Sequence, residues 1–415
     1  MDFRELQGME IAARFQVVFA DGAWRVPSLS TAGKIYRVTL GDRMACDCDD
    51  FQLRRKACKH VLAAQIVCAR DHGGAPPPIL VDAVPVRPSY RQNWPQYNEA
   101  QQTEKHRFRE LLFDLARSAD EPAQPGSGRR RTATANMVFA CALKVYTTLS
   151  SRRFACDLQD ADDLGYLSHL MNSVSVCAYL ENELLTPVLR ELIIRSSLPL
   201  RAVETVFAPD SSGFATSRFV RWFDEKYGKQ CGEHNWGKAH IMTGVKTNVV
   251  TAVEIHGRDA GDSPQFKPLL HTTAKNFTIK EVSADKAYSS LENIEAVEAL
   301  SAVAAIAFKS NATGGVGGAF AKLFHYYNLH REEFLKVYHK RSNVESTFSM
   351  VKAKFGDSVR SHTDTAMKNE ALCKFLCHNI CCVIQSQIEL GIEPYFWSDE
   401  SVRSTLLPSH QTGLK

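Results

Sequence analysis

Apolar positions recur along the chain at two spacings, and the fold is expected to change where the spacing changes. Alternating runs, Phe15 to Phe19 and Ile35 to Leu40, predict strands, and Lys59 to Ala69 then carries helical spacing. Gly73, Gly74 and Pro76-Pro77-Pro78 mark a stiff linker over 71–90. A second break, Ser118 to Ala135, holds Pro122, Pro125, Gly126, Gly128 and the run Arg129-Arg130-Arg131. From Asn136 to about Leu200 the period is helical. It predicts helices near 137–149, 160–171 and 174–180, and another with Thr186 as N-cap and Pro187 at the first position. From about Val203, β-rich runs at 205–208, 241–245, 249–255, 278–284 and 304–309 alternate with turns and helical segments. Helical spacing returns after Glu332 and holds to about Leu390. Strands interspersed with helices predict an α/β core.

Composition narrows the class without naming it. The 415 residues suffice for two or three domains, and 44% hydrophobic with 23% charged residues excludes general disorder. A net charge of +4 means that any nucleic-acid contact must come from local basic patches. No run of 18 apolar residues is present, so no membrane span is expected. Asp2, Arg4 and Glu5 sit where a signal peptide needs apolar residues, which predicts a cytoplasmic chain. Its twelve cysteines are then expected as thiols or metal ligands.

Cys46-x-Cys48, a nine-residue gap and Cys58-x-His60 supply three thiolates and an imidazole, the donors that tetrahedral Zn²⁺ favours. A strand pair leads into the first two ligands, and His60 opens a helix. Four protein ligands leave no open position, so the zinc is expected to be structural. The pattern resembles the SWIM zinc finger over about residues 33–70, and that resemblance implies a module binding DNA or protein. Arg54, Arg55, Lys56 and Lys59 beside the ligands are read either as phosphate contacts or as a solvated face.

The second constellation lies in VYHKRSNVESTFSMVKAKFG. Tyr338, Arg341, Glu345 and Lys352 recur at offsets that place them on one face of a helix. That face suits a phosphodiester: Glu345 for a metal, Arg341 and Lys352 for phosphate oxygens, Tyr338 for a hydrogen bond or base stacking. Two upstream acids fit the same task, each at a predicted strand end. Asp210 closes TVFAPD before Ser211-Ser212-Gly213, and Asp285 closes FTIKEVSAD. Several carboxylates converging on hard cations are what metal-assisted phosphoryl transfer requires.

With these acids in order, residues from about 203 to 390 resemble a bacterial insertion-sequence DDE transposase of the Tyr-Arg-Glu-Lys type. The resemblance implies an RNase H-like mixed-sheet core, with the first Asp on the first strand, the second after the fourth strand and the Glu on a later helix. It implies that Asp210, Asp285 and Glu345 hold two Mg²⁺ ions, with Mn²⁺ able to substitute, for cleavage at transposon ends and strand transfer into target DNA. A homodimer on DNA is the expected assembly.

The expected organisation is a SWIM-type finger over 1–70, linkers and a basic arm over 71–135, and a helical DNA-binding region over 136–200. An RNase H-like catalytic domain over 201–395 and a polar tail over 396–415 follow. Arg129, Arg130 and Arg131 are expected to contact phosphate, and Ser173–Leu180 is either a recognition helix or a spacer. Lys238 and His240 are second-tier candidates. Asp262, before Ser263-Pro264, reads as a helix N-cap. The glycines at 314–318 read as a loop, because they lack the phosphate-loop ending. Cys373, Cys377 and Cys381 with His378 read as core residues rather than a second zinc site. The rival functions are a catalytically inactive or domesticated zinc-finger DNA-binding regulator and a nuclease that cuts without joining.

Overall fold

A computed structural model describes residues 3–29, 31, 33–41, 44–71, 93–122, 131–216, 235–309, 312 and 317–396. Contacts divide the chain into two units, Met1–Pro88 and Ser89–Lys415. Among the described residues, no helix is long and apolar enough to cross a membrane.

The first unit opens with helix α1 (Phe3–Arg14) and an antiparallel meander, β1 (Val18–Ala20), β2 (Ala23–Pro27), β3 (Ile35–Thr39) and β4 (Ala45–Cys46). Asp21 and Gly22 both take positive φ, the two-residue turn whose twist matches that of its flanking strands. Helices α2 (Asp49–Arg54) and α3 (Lys59–Asp71) complete the unit. Its core joins Ile11, Trp24, Val26, Val38, Phe51, Val61 and Val67 to the three ligand cysteines. Gly8 lets α1 lie against α3, since a Cβ there would meet the Leu62 Cβ at 2.8 Å.

The second unit begins with a helix that the break-and-linker reading of 71–135 missed. Helix α4 (Trp94–Arg117) buries Phe108, Leu111, Leu112 and Leu115, at the three- and four-residue steps of one helical face. Helices α5 (Thr134–Thr147), α6 (Ser151–Asp163), α7 (Ser173–Leu180) and α8 (Leu185–Ser197) follow. The helix expected at 160–171 starts nine residues earlier and stops at Asp163. Thr186 does not cap α8: its hydroxyl donates to Asn369 Oδ1 at 2.7 Å, and the helix starts at Leu185 without a side-chain cap.

The sheet comprises β5 (Val206–Ala215), β6 (Asn235–Gly244), β7 (Val250–Gly257), β8 (Glu281–Ala284) and β9 (Val303–Ile306), in the order β7-β6-β5-β8-β9. The β5–β6 and β6–β7 pairs are antiparallel, whereas β5–β8 and β8–β9 are parallel. Helices α9 (Ser263–Ala274), α10 (Leu291–Glu298) and α11 (Gly318–Leu329) share a core with Phe207, Met242 and Val282. Alternate residues on β5 and β6, including Ala208, Phe214 and Ile241, pack with α13 (Ser342–Phe355), α14 (Asp364–Leu390) and the helices α4–α8. The helices expected to form a separate DNA-binding region therefore share one apolar core with this sheet.

Helix α14 runs through that core, and its polar side chains are satisfied there. Asn379 Oδ1 accepts from the Val250 N–H at 2.8 Å, while Nδ2 donates to Val250 O, Ser196 Oγ and Ile193 O. The side chain thus ties β7 to two helices. Cys373 and Cys377 are fully buried, and burial pushes both thiols up. His378 Nε2 faces Asn248 O at 2.9 Å, and these residues form no metal-spaced group among the described ones. Gly314, Gly315 and Val316 lie outside the described residues.

Candidate active site and zinc site

The four ligands expected of the finger come together. Cys46 ends β4, Cys48 caps α2 by accepting from Phe51 N at 3.4 Å, Cys58 precedes α3, and His60 lies in its first turn. None is more than 4% exposed, and their donor atoms lie within 4.8 Å of one another. His60 Nδ1 stands 3.9 Å from Cys46 Sγ and 4.0 Å from Cys58 Sγ. A tetrahedral zinc with ordinary bond lengths sets that edge at about 3.6 Å, so a few tenths of contraction seats the ion. The Tyr36 ring, 4.1 Å away, packs on the imidazole. Without an ion the thiols cannot all ionise. The hydrogen bond from Cys46 holds Cys58 down, and the same contact together with burial pushes Cys46 up. Arg54 is drawn into the finger itself, bidentate to Asp50 at 2.7 Å, with Arg4 on the same carboxylate.

In the larger unit, the register pairs Val206 with Glu281 and Phe207 with Val282. The same offset, carried three residues past that pairing, sets Asp210 on β5 opposite Asp285, which follows the end of β8. Asp210 shares parity with Ala208 and so points to the α13 face, and Arg341, just before α13, reaches Asp285. Asp210 is not at a strand end as expected. Strand β5 continues through it to Ala215, paired with β6 by Ser211, Ser212 and Gly213. The neighbour that stops is β8, which ends at Ala284 and exposes that flank of β5. Pro209, which has no N–H to donate, is tolerated beyond the stretch paired with β8. Asp285 starts a short 3₁₀ turn and accepts from Lys286 N.

Tyr338, Arg341, Glu345 and Lys352 are not on one continuous helix. Tyr338 ends α12 (Arg331–Tyr338), residues 339–341 form a 3₁₀ turn, and Glu345 and Lys352 lie on α13. The bend keeps them together. The Arg341 guanidinium is 5.7 Å from the Tyr338 ring, 3.0 Å from Glu345 Oε1 and 3.7 Å from Asp285 Oδ2. Lys352 Nζ donates to Ser212 Oγ at 2.6 Å, on the same face of β5 as Asp210. The three acids do not close to the 4.8 Å spacing of the zinc ligands, and Arg341 reaches two of them.

Burial pushes the Asp210 carboxyl above its ordinary value, and the charges of Glu345 and Asp262 add to this against Ser211 N–H and Arg341. Burial likewise pulls the Lys352 ammonium down, opposed by Asp357 and Asp210. Asp285 and Glu345 keep 38% and 55% of their side chains exposed, so the cluster opens to solvent. Its oxygen donors suit a hard divalent cation, and a half-buried carboxyl with raised proton affinity is a group that such a cation would relieve.

The other face of β5 holds residues that the sequence reading ranked second or set aside. Lys238 Nζ and His240 Nδ1 turn to Asp262 Oδ1, at 2.6 Å and 3.4 Å, and Ser211 Oγ donates to the same oxygen at 2.7 Å. Burial pulls the fully enclosed His240 down to about 4, so its contact is not an ion pair at neutral pH. Asp262 does not cap α9 as expected. Arg129 and Arg130 lie outside the described residues, and Arg131 is exposed just before α5.

Residues 201–380 match the transposase DDE domain, and residues 36–68, which include all four zinc ligands, match the SWIM zinc finger. Comparison with curated proteins finds no match. Among solved structures, a cryo-EM structure of a piggyBac transposase synaptic complex with hairpin DNA is similar at 10% identity and TM-score 0.30. That similarity covers 75% of this chain and 84% of the other. With the finger's ligand set assembled in the first unit and the matched domain in the second, the chain carries a transposase DDE domain and an N-terminal SWIM zinc finger.

Proposed function

We propose that this protein is a DNA transposase that cleaves at transposon ends and joins them to target DNA, using Asp210, Asp285 and Glu345 in an RNase H-like core. The observation that carries the reading is the convergence of these acids within the matched domain. Asp210 lies on β5, Asp285 directly follows the neighbouring parallel strand β8, and Arg341 links Asp285 to Glu345. The strand order, three antiparallel strands followed by two parallel ones, supports the RNase H-like assignment.

The three carboxylates would hold two Mg²⁺ ions, with Mn²⁺ able to substitute. The ions would supply the Lewis acidity for in-line attack at phosphorus, first by water and then by the freed 3′-hydroxyl. The chain's own residues account for the rest. Cations on Asp285 and Glu345 would release the Arg341 guanidinium, whose planar fork suits bidentate contact with a phosphate. Lys352, braced on Ser212, adds a second positive charge along the same face. Tyr338, stacked on Phe334 at 5.9 Å, presents a ring and hydroxyl beside Arg341. The segment Arg129-Arg130-Arg131 would contact the DNA backbone. Pairing two ends before joining would use a homodimer on the DNA. The zinc in the finger would be structural, because its four ligands fill a tetrahedron.

The test is cleavage and joining of labelled DNA that carries the element's own ends, comparing wild type with Glu345→Gln. Wild type should cut and join only with divalent metal, and the variant should bind DNA without doing either. Tight binding with no strand chemistry in wild type would favour a DNA-binding regulator, and cutting without joining a nuclease.

A further inference from the structure

Asp262 stands at the start of α9, where an aspartate ordinarily accepts hydrogen bonds from the first free N–H groups of the helix. It accepts none. Its backbone is already helical, with φ −75° and ψ −45°, and its side chain turns toward the sheet with 22% of its surface exposed. There a single oxygen, Oδ1, receives Ser211 Oγ at 2.7 Å and Lys238 Nζ at 2.6 Å. Ser211 is bonded to Asp210, and Lys238 lies on β6 opposite Gly213. One carboxylate therefore joins β5, β6 and the start of α9 at the level of the proposed metal-binding aspartate.

Strand geometry makes that level the weak point of β5. Among the described residues, β5 pairs with β8 only at Val206 and Phe207, and from Ala208 to Phe214 it pairs with β6 alone. A strand bonded along one edge can twist about its axis, and twist swings adjacent side chains together, because they point to opposite faces. Holding Ser211 on one face therefore holds Asp210 on the other.

We infer that Asp262 is a positioning residue: by fixing Ser211 and Lys238, it sets the direction in which the Asp210 carboxylate points toward Asp285 and Glu345. The inference rests on the reading of Asp210 as a metal-binding group. Residues that orient metal ligands without touching the metal change affinity by about 10- to 100-fold when removed.

The experiment measures Mn²⁺ binding to the full chain by electron paramagnetic resonance, with DNA cleavage followed in parallel. Asp262→Ala should raise the Mn²⁺ concentration for half-saturation about 10-fold or more. Asp262→Asn, which keeps an acceptor for Ser211, should recover most of that loss. Ser211→Ala should weaken Mn²⁺ binding in the same direction, and the double variant should be no worse than Asp262→Ala, since both act through one link. Unchanged Mn²⁺ binding in Asp262→Ala, or additive losses in the double variant, would overturn the inference. If Asp262→Ala does not fold, Ser211→Ala, which deletes one hydroxyl, reads the same link, and full Mn²⁺ affinity there overturns it. A wild-type chain that neither binds Mn²⁺ nor cuts DNA would remove the proposed function and this inference together. Wild-type activity with indifferent variants would remove this inference alone.

Discussion

Withdrawing zinc should unfold the finger and leave the larger unit folded. Among the described residues, the finger's core comprises thirteen buried side chains, three of which are the ligand cysteines themselves. A core of that size supplies on the order of 3–5 kcal/mol of net stability at best. A structural zinc contributes an apparent ~10–16 kcal/mol near neutral pH, so its loss exceeds the whole margin. The pH dependence has a definite sign. In the metal-free chain Cys58 is held down while Cys46 and Cys48 are pushed up, so binding must expel protons from the latter two. Zinc affinity should then fall roughly 100-fold for each pH unit lost, the slope for two released protons. Hydrogen exchange with and without chelator is the assay, read on peptides spanning 23–39 and, as a control, 364–390. Trp24, the single tryptophan in residues 1–88 and 7% exposed, gives a second signal. Protection of 23–39 should vanish with zinc, as it should in Cys58→Ala, while 364–390 stays protected. Intact protection over 23–39 after measured release of zinc would mean that the apolar core alone holds the finger folded.

Other consequences are equally direct. Asn379→Ala leaves the buried Val250 N–H without its acceptor and should cost about 2–4 kcal/mol in urea unfolding, with faster exchange at the start of β7. Glu104→Ala removes the acceptor of the Tyr146 hydroxyl on α5 and the carboxylate partner of Lys354 on α13, and with them the links from α4 to both helices. It should cost about 2–3 kcal/mol, at the low end because Lys354 is 36% exposed. Asp210→Asn should abolish cleavage yet raise the melting temperature of the metal-free chain at pH 7. Its carboxyl is raised in the folded state, so the charged form is penalised above that value. The gain should disappear as pH falls to the ordinary carboxylate range.

What the sequence disclosed, and what it hid, follows from the range of the interactions. The zinc ligands were legible because Cys46, Cys48, Cys58 and His60 lie within fifteen residues, and short-range spacing is written directly in the chain. The strands were legible as local patterns, and the three candidate acids were chosen from such patterns, but that Asp210 and Asp285 lie on and just beyond neighbouring strands depends on a parallel register between segments 75 residues apart. The Tyr338 to Lys352 face read as one helix because periodicity cannot register a 3₁₀ turn of three residues. Helix α4 was hidden by its flanks: proline and glycine on both sides masked a regular apolar face from Phe108 to Leu115. Asp262 misled for a different reason. Its local chemistry does suit a cap, and only the long-range partners Ser211 and Lys238 draw it away.

Whether Asp210, Asp285 and Glu345 bind the catalytic metal is best read by changing one ligand rather than deleting it. Asp285→Cys places a soft sulfur donor where a hard oxygen stands. Single-turnover cleavage of DNA bearing the element's ends should then be lost in Mg²⁺ and recover by at least about 10-fold in Mn²⁺, which accepts sulfur more readily. Equal activity in the two metals, at the wild-type level, would mean that Asp285 holds no metal.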